Sequence, residues 1–206
     1  MSSLRRQVFA RVLAIAGSPS QRSRSSLLLR HAAGILQSRG LAVGELGLRD
    51  IPAEELIEGH YAGAAANALR ARVAAADAVL ISTPVYQASF SGGLKAVLDL
   101  LDPKALAGKV VLPIATGGSP AHLLALEYGL KPVLSALGAR HILAGVYATD
   151  AQVQVDEFGV GEIDAEVRRR LEDSVERLCE QTLPRGAIAH ESYDLGRLAL
   201  AGGFSV

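Results

Sequence analysis

Val12-Leu13-Ala14-Ile15-Ala16-Gly17-Ser18-Pro19-Ser20-Gln21-Arg22-Ser23-Arg24-Ser25-Ser26 decides how the chain is read. An apolar run ends at Gly17, a short loop of hydroxyls and arginines follows, and a helical pattern begins at Leu27. A strand that feeds directly into a helix N-terminus makes an anion site. The free N–H groups of the first turn and the positive end of the helix dipole converge on the intervening loop. Serines and an arginine at that spot point to a phosphate, and so to a phosphorylated ligand.

Working outward, residues 8–16 read as the first strand. Ser25 or Ser26 caps a helix that runs to about Arg39, where Gly40 is the stop signal. Residues 41–48 suit a second strand, and 51–55 a turn into a short helix or loop. Residues 64–76 are alanine-rich and helical. Residues 77–83 form an apolar strand that ends at Pro84, and residues 92–101 a helix. Residues 108–115 form a buried strand followed by the loop Thr116-Gly117-Gly118-Ser119. Ser119 caps a further helix with Pro120 in its first turn. Residues 142–147 make a fifth strand and 164–183 a charged amphipathic helix. Three strands are apolar without alternation, which requires burial on both faces. The expected fold is α/β and flavodoxin-like, a five-stranded parallel sheet of order 2-1-3-4-5 with helices on both faces. Residues 1–183 form one domain, and 184–206 a tail without clear period, read as mobile or used in an oligomer contact.

Composition narrows the function classes. The 206 residues carry a formal net charge of +0, which removes the electrostatic case for a nucleic-acid partner. One cysteine, Cys179, excludes an internal disulfide and fits a reducing compartment. No apolar run is long enough to span a bilayer, and no signal-peptide pattern is present. The reading is a cytoplasmic protein with no membrane partner. The histidines are too scattered to bind a metal, and no Gly-x-Ser-x-Gly elbow occurs. No Gly-x-x-x-x-Gly-Lys-Ser/Thr loop and no Gly-x-Gly-x-x-Gly after the first strand are present. These absences argue against a triphosphate or dinucleotide clamp.

In strand order 2-1-3-4-5, ligands bind beyond the carboxyl ends of strands one and three. Three loops meet that edge: residues 18–25, then 84–92, then 116–119. The second carries Tyr86 and Phe90, two of the chain's nine aromatics (five Tyr, four Phe). Phe90 reads equally as a packing residue, His122 as structural, Lys95 as a solvated helix residue and Cys179 as core. A planar ligand with a phosphate tail, such as flavin mononucleotide, fits this edge.

Gly17-Ser18-Pro19 with Ser23-Arg24-Ser25-Ser26, Thr83-Pro84-Val85-Tyr86 with Ser91-Gly92-Gly93-Leu94-Lys95, and Ala115-Thr116-Gly117-Gly118 with Ala121-His122-Leu123-Leu124 resemble the NAD(P)H-dependent FMN reductases. They resemble most the reductase component of two-component alkanesulfonate or methanesulfonate monooxygenases. The resemblance covers residues 12–152. It implies that Ser18, Ser23, Arg24 and Ser25 hold the FMN phosphate. It places Pro84, Val85, Tyr86 and Gln87 along the isoalloxazine, with Thr116, Gly117 and Gly118 approaching it by their backbone. It also implies NAD(P)H as reductant, an FMNH2-dependent monooxygenase as partner in sulfonate desulfonation, and a homodimer or homotetramer. Hydride transfer between two cofactors needs alignment and exclusion of water, so no catalytic residue is assigned.

Within the helix after Ser119, Tyr128-Gly129-Leu130-Lys131-Pro132 is a further signal. Pro132 cannot donate to the Tyr128 carbonyl, and a π-bulge lets the Val133 N–H do so instead. The resemblance implies such an insertion at a subunit interface near the flavin, with Tyr128 pointing to a neighbouring subunit or the flavin edge. A plain proline kink is the alternative. Two other functions remain open: a quinone or azo reductase that keeps FMN tightly bound, and a flavodoxin-like electron carrier. The neutral charge disfavours the carrier.

Overall fold

The computed structural model describes residues 10–156 and 160–182. The tail assigned to residues 184–206 lies outside the described residues. The chain order begins β1 (Arg11–Ala16), α1 (Arg24–Ser38), β2 (Ala42–Gly47), α2 (Ala53–Glu58), α3 (Ala64–Ala75), β3 (Ala78–Tyr86), β4 (Ser89–Phe90) and α4 (Gly92–Asp99). It continues with β5 (Val110–Gly117), a 3-10 turn (Pro120–Leu123), a π-helix (Ala125–Leu130) and α5 (Lys131–Ala136). The last elements are β6 (His141–Ile142), β7 (Val146–Thr149), β8 (Val153–Val155), β9 (Gly161–Ile163) and α6 (Ala165–Thr182). Among the described residues, no helix is long and apolar enough to cross a membrane.

The main sheet runs β2-β1-β3-β5-β6, with β7 also paired to β5 and all of these pairings parallel. This is the flavodoxin-like order. Alternation along each strand explains the apolar runs. Val12 and Ala14 of β1, Leu80 of β3 and Leu112 and Ile114 of β5 pack under α1 and α6. Leu13, Ile15, Val79, Ile81 and Val111 pack on the other face, under α3, α4 and the π-helix. Both faces of the sheet are therefore core, and neither strand face tolerates a polar alternation.

Four details differ from the sequence expectation, each for a local reason. Helix α1 begins at Arg24 because Ser23, not Ser25 or Ser26, is the cap; its Oγ accepts from the Ser26 N–H at 3.2 Å. Strand β3 does not end at Pro84 but runs on to Tyr86. Its pairing with β1 stops at Ser82, so beyond that point β3 is an edge on one side and the missing proline N–H costs nothing there. The fifth strand is split into β6 and β7, because Pro113 in the middle of β5 offers no N–H to the residues between them. Thr116 and Gly117 belong to β5 itself rather than to a loop. The sheet thus has more than five strands, and a β8–β9 hairpin, unheralded in the sequence, follows β7.

Candidate functional site

Where β3 parts from β1, a cleft of about 230 Å³ opens at the carboxyl ends of the strands. Ser18, Ser20, Arg22, Ser23 and Arg24 line one side. Pro84, Val85 and Tyr86 line another, and Thr116, Gly117, Gly118 and Asp150 complete it. Nine of the eleven residues expected at the ligand edge meet here although they come from three distant segments. Ser25 does not line the cleft: it is fully buried in the first turn of α1, with its Oγ 2.9 Å from Ser23 Oγ. Gln87 does not line it either, because it sits at the tip of the β3–β4 turn. Ser20, Arg22 and Asp150 were not anticipated. The first two lie inside the quoted loop and were legible as hydroxyl and cation. Asp150 is brought in by tertiary pairing alone.

The loop at the polar end is shaped largely by short-range bonds, and Arg24 is held from a distant segment. Ser18 Oγ accepts from the Ser20 N–H at 3.2 Å, and Ser20 Oγ accepts from the Arg22 N–H at 3.2 Å. In both bonds the hydroxyl is the acceptor, which leaves its proton available to donate. Helix α1 supplies no acceptor for the N–H groups of Arg24 and Ser25, which are first-turn donors beside the cleft. Arg24 Nε donates to Val153 O at 2.9 Å, and its Nη1 lies 3.7 Å from Asp150 Oδ1. Gly17 lets the loop leave β1 tightly: a Cβ there would stand 2.6 Å from Ser82 O and 2.8 Å from Leu94 Cβ.

The flat end is built by long-range contacts. β3 turns into β4 through Gln87 and Ala88, at φ 46° and 62°. Two consecutive left-handed residues make the tight hairpin turn that matches strand twist, here without glycine. Ser91 follows, nearly fully buried at 1% exposure. Its Oγ donates to Gly17 O and accepts from the Leu94 N–H at 3.1 Å, so one side chain caps α4 and ties the hairpin to the first loop. Thr83 Oγ1 accepts from the Ser91 N–H at 2.9 Å. Tyr147 donates to Ser119 O at 2.6 Å and holds the turn after β5. Burial, and then the Asp150 carboxylate, push its phenol above the usual tyrosine range.

The chain from Ala125 to Leu130 is π-helical, with the Lys131 N–H donating to Leu126 O five residues back. Tyr128 stands on it at 79% exposure, beside Leu124 and Leu123 at 56% and 42%. Gly129 faces the hairpin; a Cβ there would lie 3.5 Å from Phe90 Cδ1 and from Ser89 Oγ. Phe90 thus packs between the hairpin and the π-helix, which is the packing role considered for it.

A family model described as NADPH-dependent FMN reductase matches residues 10–154. The chain belongs to the NADPH-dependent FMN reductase family. An FMN reductase (NADPH) of Pseudomonas putida is 49% identical over 166 residues, covering 80% of this chain and 84% of that protein. An FMN reductase (NADPH) of Escherichia coli is 44% identical over 166 residues, covering 81% and 86%. Among solved structures, an NADH:FMN oxidoreductase in its apo form superposes with a TM-score of 0.76 at 32% identity, covering 92% of this chain and 98% of that one. The protein is an NAD(P)H:FMN oxidoreductase, with FMN and NAD(P)H as its cofactors.

The donor set of the cleft fits FMN. One end offers hydroxyl protons, first-turn N–H groups and two guanidinium groups, which suit a phosphate monoester. The other end offers a proline, a valine and a tyrosine facing two glycines, which suit a flat ring. Held there, FMN would supply the redox chemistry of hydride transfer from a nicotinamide.

Proposed function

We propose that the 230 Å³ cleft is the FMN site, and that the enzyme releases reduced FMN to a flavin-dependent monooxygenase of a sulfonate-desulfonating, sulfur-acquiring system in the cytoplasm. The observation that carries the site is the meeting of three sequence-distant segments in one cleft, polar at the helix N-terminus and flat at the hairpin. Ser18, Ser20, Arg22, Ser23 and Arg24 take the phosphate; Pro84, Val85 and Tyr86 line the ring opposite Thr116, Gly117 and Gly118. Release is supported by the grip itself: three of its groups, Ser20, Arg22 and Arg24, are exposed. The exposed apolar group of Leu123, Leu124 and Tyr128 beside the hairpin supports a homodimer or homotetramer in which Tyr128 enters a subunit contact.

The test is oxidation of NADH and of NADPH, with and without added FMN, FAD and riboflavin. FMN acts as a saturable substrate and riboflavin, lacking the phosphate, is used poorly. Protein that stays bright yellow through extensive dialysis, with no response to added FMN, overturns release in favour of a tightly bound quinone or azo reductase. For the assembly, sedimentation of Tyr128→Asp shows a smaller species than the parent protein; an unchanged species removes Tyr128 from the contact.

A further inference from the structure

Three charged side chains reach the polar end of the cleft, and one has the wrong sign for a phosphate site. Arg22 and Arg24 are cations; Asp150 is an anion. Its position is held by backbone. The Asp150 N–H donates to Gly117 O at 3.1 Å and so extends the β5–β7 ladder by one residue. The next turn is closed by Gln152, whose N–H donates to Thr149 O at 3.0 Å. Gln152 Oε1 in turn accepts from the Thr149 N–H at 3.0 Å and from its Oγ1 at 3.1 Å. The Asp150 carboxylate is thereby carried to 3.7 Å from Nη1 of Arg24, whose Nε is already committed to Val153 O. Both groups that occupy this guanidinium come from the segment just after β7, and the same guanidinium faces the cleft.

The pair adds little to stability, because the two side chains are 44% and 48% exposed. Its consequence is for binding. A phosphate monoester carries between one and a half and two negative charges near neutral pH, roughly. To use Arg24 it must share the guanidinium with Asp150 or displace the carboxylate, and either way it meets a like charge.

We infer that Asp150 is a built-in competitor for the FMN phosphate, a carboxylate that occupies Arg24 without ligand and opposes the phosphate with it, holding flavin affinity low enough for exchange. The inference rests on the cleft being the FMN site. It assigns Asp150 to affinity tuning, and it requires no contact between Asp150 and the reacting ring.

The experiment measures equilibrium dissociation constants of FMN and riboflavin by flavin fluorescence, at low and high salt, for the parent protein, Asp150→Asn, Asp150→Ser and Arg24→Gln. Both Asp150 variants bind FMN about tenfold more tightly at low salt, close to 1.4 kcal/mol. The gain shrinks at high salt, where charges on an exposed pair are screened. Riboflavin affinity stays unchanged, and stopped-flow release of FMN slows. FMN affinity that is unchanged or weaker in both Asp150 variants, while Arg24→Gln weakens it, overturns the inference and leaves the site standing. Weaker binding of FMN and riboflavin alike overturns it too, and makes Asp150 an acceptor for a ligand hydroxyl. FMN affinity unchanged in all three variants removes the phosphate from this cleft and takes the inference with it.

Discussion

The two walls of the cleft are built by opposite means. In the first loop, three of the bonds that shape it join residues two or three positions apart: Ser18 with Ser20, Ser20 with Arg22, Ser23 with Ser26. In the second wall, the decisive bond joins Ser91 to Gly17, 74 positions away, and the hairpin rests on a π-helix from a third segment. The loop of the first wall is largely a local conformation, rich in hydroxyls and cations. The second exists only when distant parts of the chain have met. A phosphate grip can therefore be nearly preformed, while the shape of the ring slot is coupled to the packing of the whole sheet edge.

That contrast can be broken most forcefully at Gly17, where the walls touch. Gly17→Ala drives a Cβ against Ser82 O and the Leu94 side chain. A cost of about 2–3 kcal/mol is expected from overpacking, read as a fall in Tm and a loss of FMN affinity. The first wall alone is tested by Arg24→Gln. A charged hydrogen bond to a phosphate contributes about 1.5–3 kcal/mol, so the KM for FMN rises roughly ten- to a hundredfold. Turnover at saturating FMN stays near the parent value; a kcat that falls as steeply as KM rises would show that Arg24 aligns the ring as well as the phosphate.

The sequence made the first wall legible because its chemistry and its geometry lie in the same ten residues. The cap was misplaced, since Ser23, Ser25 and Ser26 are equally good caps by composition, and with it Ser25 was placed in the cleft in the stead of Ser20 and Arg22. The choice of Ser23 is made by its extended backbone, at φ −98° and ψ 126°. The second wall was legible as composition but not as shape. Pro84 read as a strand end, and nothing local shows that β3 has already lost its β1 neighbour at that point. Ser91 read as one more loop serine, and its double role as helix cap and cross-wall donor appears only in three dimensions. Asp150 had no signal at all, because it enters the cleft through the pairing of β7 with β5.

Two milder substitutions sharpen the comparison. Ser91→Ala removes the cap and the cross-wall bond together, and is expected to cost about 1–2 kcal/mol of stability. Its effect on the KM for FMN should exceed that of Lys95→Ala on the exposed face of the same helix; equal effects would mean the two walls are not coupled through Ser91. Ala88→Gly relieves a left-handed conformation at φ 62° and stabilises the hairpin by about 1 kcal/mol, measured as a rise in Tm. A hairpin that gains stability without a change in flavin binding shows that the strained turn sets the wall's position through β3 and not through its tip.

By itself the sequence determined the alternation of strands and helices, the sheet order, the hydroxyl-rich loop after β1 and the presence of a π-helical stretch before β6, which the structure places at Ala125–Leu130, ahead of Pro132. Apolar periodicity, caps and proline positions are local, and they act before any long-range contact forms. The tertiary structure alone decided where β3 stops being a central strand, which serine caps α1, how Ser91 ties two walls together and which carboxylate stands beside Arg24. Those depend on which strand ends first at the sheet edge and on which segments the pairing of β5 brings alongside, and no window of neighbouring residues contains that information.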